Sequence, residues 1–433
     1  ANRLSAFAAT NQGGAIELSN NADTLTLSAI AQPQGGDVSV HQTGTLRVGT
    51  IQTTLGDVSL YATGSILAAG ATGGASDAAA GGAAPLANIQ AASIDLTSIG
   101  GNIGLAGAMG GGNDGGGGDG SGEGGGDSDH DHGLHLGRRR FDRPLYGPWH
   151  DAGQGDWDES SGAGHGDWPD GAPSWWFWLA WLRWLDHGQG GTASGDVAGD
   201  PGTTADAAPL VLDSSVGRSG VVTASAQGDI ALSELQGNLD VNAAAGGNVR
   251  LTAEAGDLLA GSVATTTGDV TMAAAGSILA SGSAGAALVQ GNNLTLVAQT
   301  GSIGTRQQAL SIDSGSAGGS VKAKAAGDVA LDEISGDLDL WQVISTGGDV
   351  VLTADGNFVN AAPSKLINVE GDDVELTSRH GRIGSGQSPI AVLYGGSLTT
   401  DAASHGAHVV RLKSLKRGYE LGPDWAASIL GAA

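Results

Sequence analysis

Residues 267–282 read TGDVTMAAAGSILASG, and residues 292–304 read NNLTLVAQTGSIG. The same two-part script occurs upstream as LGDVSLYATGSILAAG (55–70) and ASIDLTSIGGNIG (92–104). It occurs again downstream as GGDVVLTADGNFVNA (347–361) and DDVELTSRHGRIG (372–384). Self-similarity of this kind marks a repeat architecture. Gly268 to Gly348 is 80 residues, and Gly301 to Gly381 is again 80. GDIALSELQGNLDV (228–241) matches GDVALDEISGDLDL (327–340) at an offset of 99, so the interval holds one additional unit, GGNVRLTAEAGDLLA (246–260). Gly36 to Gly56 is 20 residues, while Gly247 to Gly268 and Gly327 to Gly348 are each 21. Gain or loss of whole units near twenty residues is what a solenoid permits, because each coil touches only its neighbours.

Within a unit, apolar residues alternate over three to five positions, as in Val58 and Leu60, or Ile94 and Leu96. That period of two means short, half-buried strands. Gly with Asp or Asn separates them and supplies corners. The pattern predicts an all-β chain: a right-handed parallel β-helix with ~20-residue coils, β-branched and Leu residues inward, Ser, Thr, Asp and Lys outward. Setting one interruption aside, it predicts about 15–16 coils and a rod of ~70–75 Å from the usual strand spacing.

Composition supports a thin core. Glycine is 77 of 433 residues and aromatics are 4%, so small aliphatic side chains carry the hydrophobicity. A net charge of −26 argues against nucleic acid as a partner, since phosphates need clustered Lys and Arg. It fits a protein that stays soluble outside a cell. There is no cysteine, hence no disulfide and no Cys-ligated zinc. No run is long and apolar enough for a transmembrane helix. Ala1 opens directly on repeat-like sequence without a signal peptide, so the expectation is a segment of a longer protein.

The script stops after Gly104 and resumes at Leu210-Val211-Leu212-Asp213, which matches Leu310-Ser311-Ile312-Asp313. Gly304 and Leu310 are 6 residues apart, whereas Gly104 and Leu210 are 106 apart. The reading is therefore β-helix coils over 1–104, an inserted module over 105–204, further coils over 205–400, and a rod end or linker over 401–433. The insertion begins with the Gly/Asp-rich stretch GGGNDGGGGDGSGEGGGDSDHDHG (110–133), then carries Arg138-Arg139-Arg140 and eight of the ten Trp. Its densest part, PSWWFWLAWLRWLDHG (173–188), predicts a short helix with Ser174 as N-cap and Gly188 as stop. That helix is apolar nearly all round, so it requires a cover: the rod's flank, a partner, or a membrane interface.

Trp175, Trp176, Trp178, Trp181 and Trp184 are the candidate binding residues, either packing locally or docking on a partner or sugar. Asp127, Asp129, His130, Asp131, His132 and the nearby His135 have metal-capable side chains, but they lie in a glycine-rich segment with nothing to fix their geometry, and a solvated loop is the simpler reading. The recurring Asp37, Asp57, Asp229, Asp269, Asp328 and Asp349 of the Gly-Asp pairs could stack and bind Ca²⁺. Their simpler role is corner chemistry, with the carboxylate capping backbone amides. No cofactor is implied otherwise. Near the C-terminus Arg411, Lys413, Lys416 and Arg417 concentrate positive charge, as a rod end or as a contact to the acidic rod of another copy. No outward carboxylate pair stands out as a glycosidase or lyase centre, and the expectation is that the chain is not an enzyme.

Repeats such as GDVSLYATGSILAAG and NNLTLVAQTGSIG resemble the filamentous-haemagglutinin repeats of large exoproteins exported by two-partner secretion. The resemblance covers most of the chain outside 105–204. It implies an extracellular, cell-surface β-helix serving as an adhesin stalk, with a host or neighbouring-cell surface, a glycan, or other copies of itself as partner. The family's N-terminal secretion domain, with NPNL- and NPNGI-type motifs, is not in the sequence. The competing functional readings are a filament subunit and a carbohydrate-active β-helix enzyme.

Overall fold

A computed structural model describes residues 2–69, 87–104, 208–216, 220–281, 289–315, 318–404, 406–416 and 418–430. The chain is an all-β, right-handed parallel β-helix of about 13 turns with one short helix, Trp425–Leu430, among the described residues. The short helix expected over the Trp-rich stretch lies outside the described residues. Five residues is the commonest strand length, and the strands follow the alternation read from sequence. In Val58–Ala62, for example, Val58, Leu60 and Ala62 are buried while Ser59 is exposed and Tyr61 half-buried.

Identical positions stack from coil to coil. One column runs Leu25, Leu46, Ile66, Ile103, Ile230, Val249, Val270, Leu294, Val321 and Leu340, each paired in parallel with the next. A second runs Leu239, Leu258, Ile278, Ile303, Val329, Val350, Val374 and Leu398. The interior side chains of the first column are all at most 1% exposed. Each such Leu, Ile or Val contributes roughly 1.5–3 kcal/mol of burial, so the core is a line of small, repeated contributions rather than one large cluster.

The rod has fewer turns than the fifteen or sixteen expected. The reason is coil length. Equivalent corner residues are 19 to 21 positions apart in the tight coils, but 24 to 26 apart between Ser277, Ser302 and Asp328 and between Asp349, Asp373 and Ser397. Loops at 305–309 and 385–389 add residues to two of these coils. At ~4.8 Å per coil, thirteen turns give a rod of about 60 Å.

Three corners share one geometry. Gly104, Gly304 and Gly384 all have positive φ, at 84°, 62° and 64°. Their amides donate to Ile66, Ile278 and Phe358 of the preceding coil. A Cβ on Gly104 would lie 2.0 Å from the Ala231 carbonyl and 2.7 Å from the Leu210 nitrogen. On Gly304 the corresponding distances are 2.3 Å to Ala330 and 2.7 Å to Leu310. Only glycine fits such an approach. In two of these corners the chain leaves the strand and returns after five residues, 305–309 and 385–389; in the first it returns at Leu210, directly beside Gly104.

Leu398–Ala402 and Val409–Leu412 carry the last coil. Residues after Leu412 then turn back along the flank. Ile367 donates to the Glu420 carbonyl, and Tyr419 and Leu421 pack on Ile367, Ala391 and Leu412. Trp425 Nε1 donates to Gln342 Oε1 at 2.8 Å, Lys324 pairs with Asp424 at 2.7 Å, and Arg250 donates to the Ile429 carbonyl at 3.2 Å. Lys413 sits 4.1 Å above the Tyr394 ring and donates to the Gly395 and Gly396 carbonyls. Arg417 lies outside the described residues.

Candidate functional site

The Trp candidates at 175, 176, 178, 181 and 184 and the acidic-histidine cluster at 127–132 lie outside the described residues. The recurring corner aspartates lie inside them, and their oxygens are engaged. Asp37 Oδ1 accepts the Asp57 amide at 3.0 Å. A longer ladder climbs the rod through Ser65, Asn102, Asp229, Asn248, Asp269, Asn293 and Ser320, each side-chain oxygen accepting the next residue's N–H. A parallel ladder runs Asn238, Asp257, Ser277, Ser302, Asp328, Asp349, Asp373 and Ser397. These carboxylates cap backbone amides, which satisfies the donors that a corner leaves without a strand partner. Ser397's hydroxyl and amide hydrogen bonds hold the Asp373 carboxyl below the usual carboxylate range. No group of three or more His, Asp or Glu with metal-binding geometry occurs among the described residues.

The sequence reading missed two carboxyls that the fold brings inside. In Ile230–Glu234 and Val329–Glu333 the alternation that buries Ile230 and Leu232, or Val329 and Leu331, also buries Glu234 and Glu333, both 0% exposed. Period-two counting of IALSE and VALDE would have flagged both residues. Glu234 accepts the Ser214 amide at 2.8 Å and its hydroxyl at 3.0 Å. Glu333 accepts the Ser314 amide at 3.1 Å and its hydroxyl at 2.6 Å. Burial pushes Glu234 up to about 7 against the Ser214 hydrogen bonds, with Asp213 adding repulsion. Burial likewise pushes Glu333 up to about 8, with repulsion from Asp313 and Asp332.

On the outer side of each corner, Asp213 accepts the Gln90 amide at 3.0 Å and the Ser215 hydroxyl at 2.7 Å. Asp313 accepts the Gln290 amide at 3.2 Å. Thus Gln–Asp–Ser–Glu is built twice, in matching coils. Its buried acid is sealed from any solute, so the arrangement closes a corner and does not present a reacting group. Further out, Arg379 forms a two-pronged pair with Asp332 at 2.8 and 2.9 Å, Arg306 pairs with Glu375 at 3.2 Å, and His380 meets Asp355 at 2.9 Å. These exposed pairs are worth little individually. Comparison with known protein families, with curated proteins and with solved structures finds no match to this chain.

Proposed function

We propose that this chain is the non-enzymatic, extracellular rod of a bacterial surface exoprotein of the filamentous-haemagglutinin type, and that its task is to present the segment 105–204 to another cell's surface. The observation that carries the reading is the corner at Gly104. There the coil closes on Leu210 with the same glycine geometry that five-residue loops use at Gly304 and Gly384, so the coil is finished without the residues between. Acidity, the lack of cysteine and the repeat resemblance support the extracellular setting. Corner aspartates engaged in capping backbone amides, and solvent-sealed glutamates, support a structural rather than catalytic role for the rod.

Trp residues dominate the energetics of contact surfaces, with single truncations commonly costing ~2 kcal/mol or more. Replacing Trp176, Trp178 and Trp181 together by Ser should therefore reduce binding of the labelled full chain to cultured epithelial cells at least tenfold. The melting transition of the rod should stay in place. Undiminished cell binding by the triple variant, or a large fall in the rod's stability, would remove the assignment of adhesion to this segment.

A further inference from the structure

Glu234 and Glu333 stand at the same position of sequence repeats 99 residues apart, on strands of the two different columns. Above and below, Glu234 is stacked between Leu212 and Ala253, and Glu333 between Ile312 and Ala354. The polar groups acting on Glu234 are Ser214 and Asp213 from the coil before, while Glu254 on the coil after donates its backbone amide to the Glu234 backbone carbonyl and accepts the Ser233 hydroxyl. Those acting on Glu333 are Ser314 and Asp313 from the coil before and Asp332 on its own strand, while Asp355 on the coil after donates its backbone amide to the Glu333 backbone carbonyl. The cations nearby are committed elsewhere: Arg379 to Asp332, and His380 to Asp355. An anion in such a place has apolar stacking neighbours and acidic company, and a proton is the cheapest way to remove its charge.

We propose that these two corners form a proton-held lock: with both carboxyls neutral the coils around 210–254 and 310–354 close fully, and their ionisation loosens the rod. The shift of both groups to about 7 and about 8 supports this. For an acid whose affinity for the proton is higher folded than unfolded, the folded state binds more protons between the two values. Stability is then greatest below the ordinary 4.5, is lost as pH rises through about 7 and about 8, and stays at the lower level above that. This is the reverse of a salt-bridged carboxylate. Between 4.5 and those values the folding equilibrium shifts by roughly three-hundredfold at Glu234 and roughly three-thousandfold at Glu333.

The test is thermal melting of the full chain from pH 5.5 to pH 9, beside the Glu234→Gln/Glu333→Gln double variant. Gln keeps the shape and hydrogen-bonding capacity but cannot ionise. The wild type should lose melting temperature steeply across the range, and the double variant should lose markedly less. The general repulsion of an acidic chain acts on both and cancels in the difference. Infrared spectra of the wild type at pH 6 should also show a protonated-carboxyl band, and each single Gln variant should reduce it. Parallel pH curves, or no such band at pH 6, would overturn the proposal.

Discussion

Truncating Phe358 to Ala is expected to destabilise the rod by about 3–5 kcal/mol. Phe358 is the largest of the fully buried side chains, at 1% exposed, and is stacked between Leu338 and Ile383. The interior is one side chain deep from each wall, so no second layer can collapse into the space left behind. Val359, next in sequence, points outward at 37% exposed, and Val359→Ala should change stability by less than about 0.5 kcal/mol. Urea unfolding of the two variants separates them. Because coils touch only their neighbours, amide exchange should quicken first in the strands around Leu338 and Ile383. A Phe358→Ala cost below about 1 kcal/mol would mean that this coil is not packed as described.

Gly56→Ala should cost about 2–3 kcal/mol although it adds one methyl group. A Cβ there would lie 2.0 Å from the Gly36 carbonyl oxygen of the coil before and 2.6 Å from the Thr53 hydroxyl. Both are far inside contact distance, so the two coils must part locally and the Gly56–Thr53 hydrogen bond must stretch. Gly386, in the loop 385–389, has open space around its Cβ position and no positive φ. Gly386→Ala should accordingly be close to neutral. Equal melting temperatures for the two alanine variants would show that glycine at the coil corners is not there for close stacking.

Much of this architecture was legible because a solenoid writes its contacts as a sequence period. Gly268 and Gly348 hold the same place in their repeats, although Val270 and Val350 stack in different columns, and the Gly-Asp pairs cap the next coil as corner chemistry requires. The coil count was overestimated because the most regular repeats set the period, whereas loops such as 305–309 lengthen the coils that contain them. Glu234 and Glu333 were overlooked because an acidic residue is read as outward by type; alternation, which reads by position, placed them inward. The return of 413–430 along the flank depends on Gln342, whose amide meets both the Leu421 carbonyl and the Trp425 ring nitrogen. Those partners lie 79 and 83 residues apart in the chain, and no local pattern encodes them. The site residues chosen from sequence, Trp175 to Trp184 and Asp127 to His132, lie outside the described residues, so the adhesive assignment rests on chemistry and on the corner that holds the segment.

The coils are expected to fold completely without residues 105–204. Deleting residues 105–204 and joining Gly104 to Ala205 leaves a loop of five residues before Leu210, the length used at Gly304 and Gly384. Shortening a loop that is already closed at its base costs little. Far-ultraviolet circular dichroism through a thermal melt of this deletion is the direct measurement. The predicted result is an undiminished β-sheet spectrum and a melting temperature within a few degrees of the full chain. Loss of the β signal, or aggregation at temperatures where the full chain is folded, would show that the segment belongs to the core and that the account of an independent rod is wrong.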